Sequence, residues 1–173
     1  MHITTENDSE TEQITAQMLA DLLREHNLST WTFTEGVHIA GGAQLHSHPT
    51  LTLNTRHIDD PDLLLATYIH EQLHWYTDSK REYVFAAMEA LQALYPDAPV
   101  GLPEGGGPEP GDTYLHLVIG WLEYSALIHL IGQSRARDVM NFWCEDHFTW
   151  VYAQVMDDYE KIGGIIHKHE LVI

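Results

Sequence analysis

The sequence is poor in three things: cysteine, positive charge and long apolar runs. Of its 173 residues one is cysteine, Cys144. A single thiol excludes an internal disulfide and fits a reducing compartment. Cys144 itself reads as a small buried apolar residue. Lys and Arg number 8 against 26 Asp and Glu, for a net charge of −18. That excess repels nucleic-acid phosphates and anionic lipid surfaces, so neither is expected as a partner. It serves solubility, and it would also suit a basic peptide or protein. No apolar run reaches membrane-spanning length. The opening residues Met1–Asp8 lack the basic and apolar parts of a signal peptide. A soluble, cytoplasmic protein is expected. No serine or cysteine nucleophile constellation stands out.

What is present is enough for one folded domain. A chain of this length, read as a single domain over 1–173, buries a core without disulfide or metal staples. Ser9 with Glu12 forms a capping-box pattern, and Ile14, Met18, Leu19, Leu22 and Leu23 follow at helical spacing, predicting a helix from about 10 to 26. Residues 31–55 alternate apolar with polar around two glycine-containing breaks, Glu35-Gly36 and Gly41-Gly42. Three short strands in a small antiparallel sheet are expected, with Thr50–Asn54 at an edge because Pro49 cannot donate to a ladder. Asp60-Pro61 starts a helix to about Thr77, and Ser79 with Glu82 caps the next, to Leu94. Residues 96–111 (PDAPVGLPEGGGPEPG) are too long for a plain connector; a flap over the site and a surface loop are both compatible. Asp112 caps a strongly apolar fourth helix to Ile131. One or two further helices end at Gly163-Gly164. The fold class expected is α+β, a small N-terminal sheet followed by a mainly helical body.

The chemistry centres on Tyr68-Ile69-His70-Glu71-Gln72-Leu73-His74-Trp75-Tyr76. Residues four apart share a helix face, so His70 and His74 can bind one Zn²⁺ together. Glu71, about a third of a turn from His70, is placed to take a proton from a metal-activated water. This His-Glu-x-x-His helix resembles the active helix of the zinc metallopeptidases called zincins. A pair of metal-free, hydrogen-bonded histidines is the plain alternative.

A catalytic zinc takes a third protein ligand. The continuation found in metzincins fails here, since Thr77 and Lys80 stand where Gly and His would be. The gluzincin pattern takes a Glu from a later helix. In the fourth helix His116, Gly120 and Glu123 lie on one face, and Gly120 would let that helix approach the active one closely. Glu123 is the preferred third ligand, followed three positions on by the small Ala126 that the gluzincin helix also carries. Leu122 and Leu127 depart from thermolysin's pattern, so the likeness is at superfamily level. His116 is either the ligand itself or a helper that stabilises an oxyanion. Asp78, at i+4 from His74, comes after them. His46 and His48 could line a cleft; His167 and His169 form a tail pair; Tyr124 and Tyr152 could assist an oxyanion or simply fill the core.

The resemblance implies a minimal zincin-like domain acting as a zinc hydrolase. It would be a metallopeptidase with Zn²⁺ on His70, His74 and Glu123, Glu71 as general base and His116 as helper. The substrate would be a peptide or protein, paired with the edge strand Thr50–Asn54. Hydrolysis of small non-peptide amides, and a zincin-like binding module without turnover, are the alternatives.

Overall fold

The computed structural model describes all 173 residues. The elements run β1 (His2–Thr5), α1 (Glu10–Glu25), β2 (Gly36–Ile39), β3 (Thr52–Leu53), α2 (Pro61–Ser79), α3 (Arg81–Leu94), α4 (Pro110–Ile131), α5 (Gln133–Asp146), α6 (Thr149–Asp157) and α7 (Tyr159–Lys168). The α+β expectation holds in its coarse form: helices dominate and one small sheet accompanies them. The chain divides into two compact units, Met1–Tyr76 and Thr77–Ile173, with the boundary inside α2.

In the first unit the sheet order is β1-β2-β3, and both pairings are parallel, not antiparallel as the sequence suggested. The reason is connectivity. Residues His2–Thr5, which look like a loose tail, form a strand that feeds α1, and a strand returning after a helix lies parallel to the first. The expected strand around Trp31 and Phe33 is absent. A short 3₁₀ turn occupies Ser29–Trp31, and the Phe33 and Thr34 N–H groups donate to Gln72 Oε1, at 2.7 and 3.1 Å, and to no strand partner. The capping box at Ser9 does form. Its Glu12 is 1% exposed and accepts from the N–H groups of Asn7, Ser9 and Gly41. These hydrogen bonds, Gly41's foremost, hold the Glu12 carboxyl down at about 2, against a smaller opposing push from burial. One carboxylate thereby ties the end of β1, the start of α1 and the turn after β2.

The helix α2 starts as read from Asp60-Pro61: Asp60 Oδ1 accepts from the N–H groups of Asp62 and Leu63. It runs past Thr77 to Ser79, so Ser79 lies within it, and α3 begins after Lys80 without a side-chain cap. One side of α2 is fixed inside the first unit. Tyr68 OH meets Thr32 Oγ1 at 2.9 Å, Gln72 receives the two N–H groups above, and Phe33 packs on Tyr76 with ring centroids 5.3 Å apart. Tyr68, Gln72 and Tyr76 are spaced by four. Each is two positions, about 200°, from His70 or His74, so that anchoring turns the histidines to the other side of the helix.

The second unit is all helix. Its centre is α4, from Thr113 to Leu127 buried at nearly every position. By length and composition α4 could cross a bilayer, but 61% of its most apolar window is already buried inside the fold. Core packing therefore accounts for its apolarity. Its start lies slightly earlier than expected, with Glu109 and Asp112 forming a reciprocal capping box. Gly163 and Gly164 do not end a helix; α7 continues through both to Lys168. A Cβ on Gly163 would lie 2.8 Å from the Trp121 ring, so this glycine is where α7 comes onto α4.

The 96–111 loop is an ordered, folded-back turn. Gly101 N–H donates to Gly107 O at 2.7 Å, and Gly106 N–H donates to Gly101 O. Gly107 N–H donates to Thr113 Oγ1, whose own hydroxyl donates to Pro99 O. Gly105, Gly106 and Gly107 are buried. A Cβ at Gly106 would sit 2.1 Å from the Pro99 carbonyl oxygen, so no larger residue fits there.

Candidate metal centre

The structure brings together three of the residues singled out in the sequence. One ring nitrogen each from His70, His74 and His116 lie within 4.8 Å of one another, and all three side chains are half-buried. His70 and His74 come from consecutive turns of α2, with ring centroids 5.2 Å apart at 66°. Glu71, between them in sequence, is 6% exposed.

His116 makes contacts with its own helix and with an aromatic ring. Its Nδ1 lies 2.7 Å from the carbonyl oxygen of Asp112, one turn earlier. A carbonyl can only accept, so Nδ1 carries the proton and donates. In the neutral ring Nε2 then carries the lone pair, the tautomer needed for ligation through that nitrogen. The ring stacks on Phe148, centroids 4.1 Å apart and planes 21° from parallel.

Glu123, expected as third ligand, is not in this group. It is fully buried. Its Oε1 accepts from the Trp143 indole N–H at 3.0 Å and its Oε2 from the Tyr152 hydroxyl at 3.1 Å. Burial pushes its carboxyl up to about 8; the charge of His147 and the two donors oppose that shift without cancelling it. His116 and Glu123 do share a helix, seven positions apart, but it is the histidine that joins the α2 pair. The atoms nearest to a Cβ built at Gly120 are Val155 Cγ2 at 3.5 Å and the Tyr152 ring at 3.8 Å, so this glycine faces α6 at ordinary contact distance.

The other candidates are placed elsewhere. Asp78 is exposed and lies 3.5 Å from Arg81 across one helical turn. His46 is exposed, with Nδ1 3.0 Å from Gln44 O. His48 stacks on Trp75 at 4.1 Å, and the Trp75 indole donates to Ser47 O. His167 Nδ1 donates to Gly163 O and its ring edges onto Trp121. Tyr124 packs edge-on against Tyr159. The strand expected to take substrate is also changed. Thr52 N–H and C=O pair with His46 in an antiparallel bridge, so that edge of β3 is already occupied by the chain itself.

No family model, curated protein or solved structure matches this chain. The donor set therefore has to be judged on its own chemistry. Three imidazoles, one with its tautomer fixed, suit a borderline divalent ion such as Zn²⁺; carbonic anhydrase holds its catalytic zinc with the same three ligand types. Phe148, Trp143 and His147 were not legible as site neighbours. His147 Nδ1 lies 2.8 Å from Asp146 Oδ2, and its ring edges onto Trp143, Phe148 and Tyr152. Nothing in their spacing marks them off from core aromatics.

Proposed function

We propose that this protein is a zinc-dependent hydrolase of the zincin type, cleaving peptide bonds, with His70, His74 and His116 as metal ligands. The observation that carries the reading is the meeting of three imidazole nitrogens around a helix that also bears Glu71 between its two histidines. The gluzincin subdivision, which requires a Glu ligand, is dropped in favour of a three-histidine site. The residues fit the ion: an imidazole ligates in its neutral form, through the lone pair of one ring nitrogen, and three such nitrogens lie within 4.8 Å of one another.

Held by His70, His74 and His116, Zn²⁺ would supply Lewis-acid chemistry for a carbonyl oxygen and a water, and neutral imidazole ligands would leave its full charge for that task. Glu71 would accept a proton from that water and pass it to the leaving amine. Of the two roles the sequence left open for His116, metal ligand and oxyanion helper, this reading gives it the ligand role. Asp112 O and the Phe148 ring both contact its imidazole. Glu123 serves as a buried acceptor for Trp143 and Tyr152.

A second reading, hydrolysis of smaller amides, is favoured by one observation: the bridge from His46 closes the strand edge at Thr52 that would have paired with an extended peptide. A peptide library and a panel of small amides, assayed on wild type and Glu71→Gln, test both. Glu71→Gln is expected to keep one metal per chain and lose hydrolysis by roughly two to four orders of magnitude. Loss of the metal in that variant would make Glu71 a ligand and overturn its assignment as base.

A further inference from the structure

The half-turn that precedes α6 is built in an uncommon way. Phe148 stands at the N-cap with φ 48° and ψ 39°, in the left-handed region that a non-glycine residue rarely adopts. It offers no side-chain cap. The first N–H groups of a helix need acceptors from outside it. Here the acceptor comes from the glycine loop: Gly105 O receives the N–H of Trp150 at 3.1 Å and of Val151 at 3.4 Å. Gly105 is itself left-handed, at φ 85°, and a Cβ on it would lie 2.6 Å from Trp150 N, so only glycine allows this approach.

The result is a brace with a direction. Thr113, near the start of α4, holds the loop through Gly107 N–H and Pro99 O. The loop caps α6. The start of α6 turns Phe148 back onto His116, one turn further along α4 from Thr113. A strained residue persists where its surroundings over-determine it, and such residues gather at functional sites. The strain at Phe148 has a visible product: a flat aromatic surface against the one ligand that does not come from α2.

We propose that Phe148 is a positioning residue for the metal centre, fixing the plane of the His116 imidazole, and that the 99–107 loop is the brace that sets it there. This rests on the three-histidine reading above and adds to it a residue outside the ligand set. Two constraints act on the ring together. The Asp112 carbonyl sets its tautomer and the Phe148 face sets its tilt, so Nε2 is aimed before any ion arrives. Residues that orient a ligand in this way typically change metal affinity by about 10–100-fold when removed.

The test measures zinc affinity by competition with a chromophoric chelator. The proteins are full-length wild type, Phe148→Ala, Phe148→Gly and Phe148→Tyr, each also melted without metal. Phe148→Gly removes the ring and at the same time relieves the left-handed strain, so its metal-free melting temperature should equal or exceed that of wild type. Phe148→Ala and Phe148→Gly should both bind zinc about 10–100-fold more weakly, while Phe148→Tyr, which keeps a stacking face, should stay within about threefold of wild type on the same scale. The Co²⁺-substituted protein adds a readout of geometry: its visible d–d bands should shift in the Ala and Gly variants and be restored in the Tyr variant. Unchanged affinity in Phe148→Ala or Phe148→Gly would overturn the inference while leaving the three-histidine site standing. A fall in affinity that merely tracks a fall in metal-free melting temperature would overturn it too, because Phe148 would then act on the fold alone. Absence of zinc binding by wild type would defeat both readings.

Discussion

Tyr152 donates its hydroxyl to Glu123 Oε2 at 3.1 Å, and the acceptor carboxyl is fully buried. With Trp143 on the other oxygen, Glu123 joins α4, α5 and α6 at one point. A buried carboxyl is costly to ionise, and here burial raises it from its ordinary 4.5 to about 8.

That shift has a sign. The folded state holds the proton more tightly than the unfolded state does. Its contribution to stability is therefore fully present below pH 4.5 and is lost as pH rises toward 8. Melting curves of the metal-free protein between these limits should fall with pH more steeply for wild type than for Glu123→Gln, which carries no titrating proton. Parallel curves would show that Glu123 ionises normally in the fold. Glu123→Ala removes the acceptor from two buried donors and should cost about 1–3 kcal/mol per donor left unsatisfied.

Gly163 and Gly164 make a matched pair within α7. A Cβ at Gly163 meets the Trp121 ring at 2.8–3.0 Å. That ring cannot move aside freely, since its indole donates to Tyr159 O at 2.9 Å and it stacks on the Tyr159 ring. Gly163→Ala should destabilise by about 1–3 kcal/mol through overpacking. Around Gly164 there is nothing within 4 Å, so Gly164→Ala should gain roughly 0.5–1 kcal/mol from helix propensity alone. Denaturant melts that move in opposite directions would bear this out; a neutral Gly163→Ala would contradict the close approach of α7 to α4.

Much of the helical part was legible because its signals are local. The Ser9–Glu12 capping box, Asp60-Pro61 and the apolar periodicity of residues 113–131 each settle within one or two turns, and each formed. Strand direction is not local. His2–Thr5 carries one half-buried apolar residue, Ile3, and reads as a tail; only pairing with Gly36–Ile39 makes it a strand. Gly163-Gly164 looks like a stop because glycine disfavours helix, and the Trp121 ring that explains Gly163 lies far along the chain. The candidate metal site shows the same divide. The α2 pair is fixed by its spacing of four. His116 and Glu123 are seven apart on one helix, nearly two full turns, so periodicity places both on one stripe and cannot choose between them. The choice falls to tertiary contacts: Trp143 and Tyr152 engage the glutamate, while the Phe148 ring stacks on the histidine.

The central claim is that the third ligand is His116. Elemental analysis decides it most directly, on wild type, His116→Ala and Glu123→Gln purified without chelator, reconstituted with zinc and passed through a desalting column. The account predicts about one zinc per chain in wild type and in Glu123→Gln, and a sharply substoichiometric value in His116→Ala, as expected when one of three protein ligands is lost. Full zinc retention in His116→Ala, together with its loss in Glu123→Gln, would return the site to two histidines and a glutamate and contradict the account.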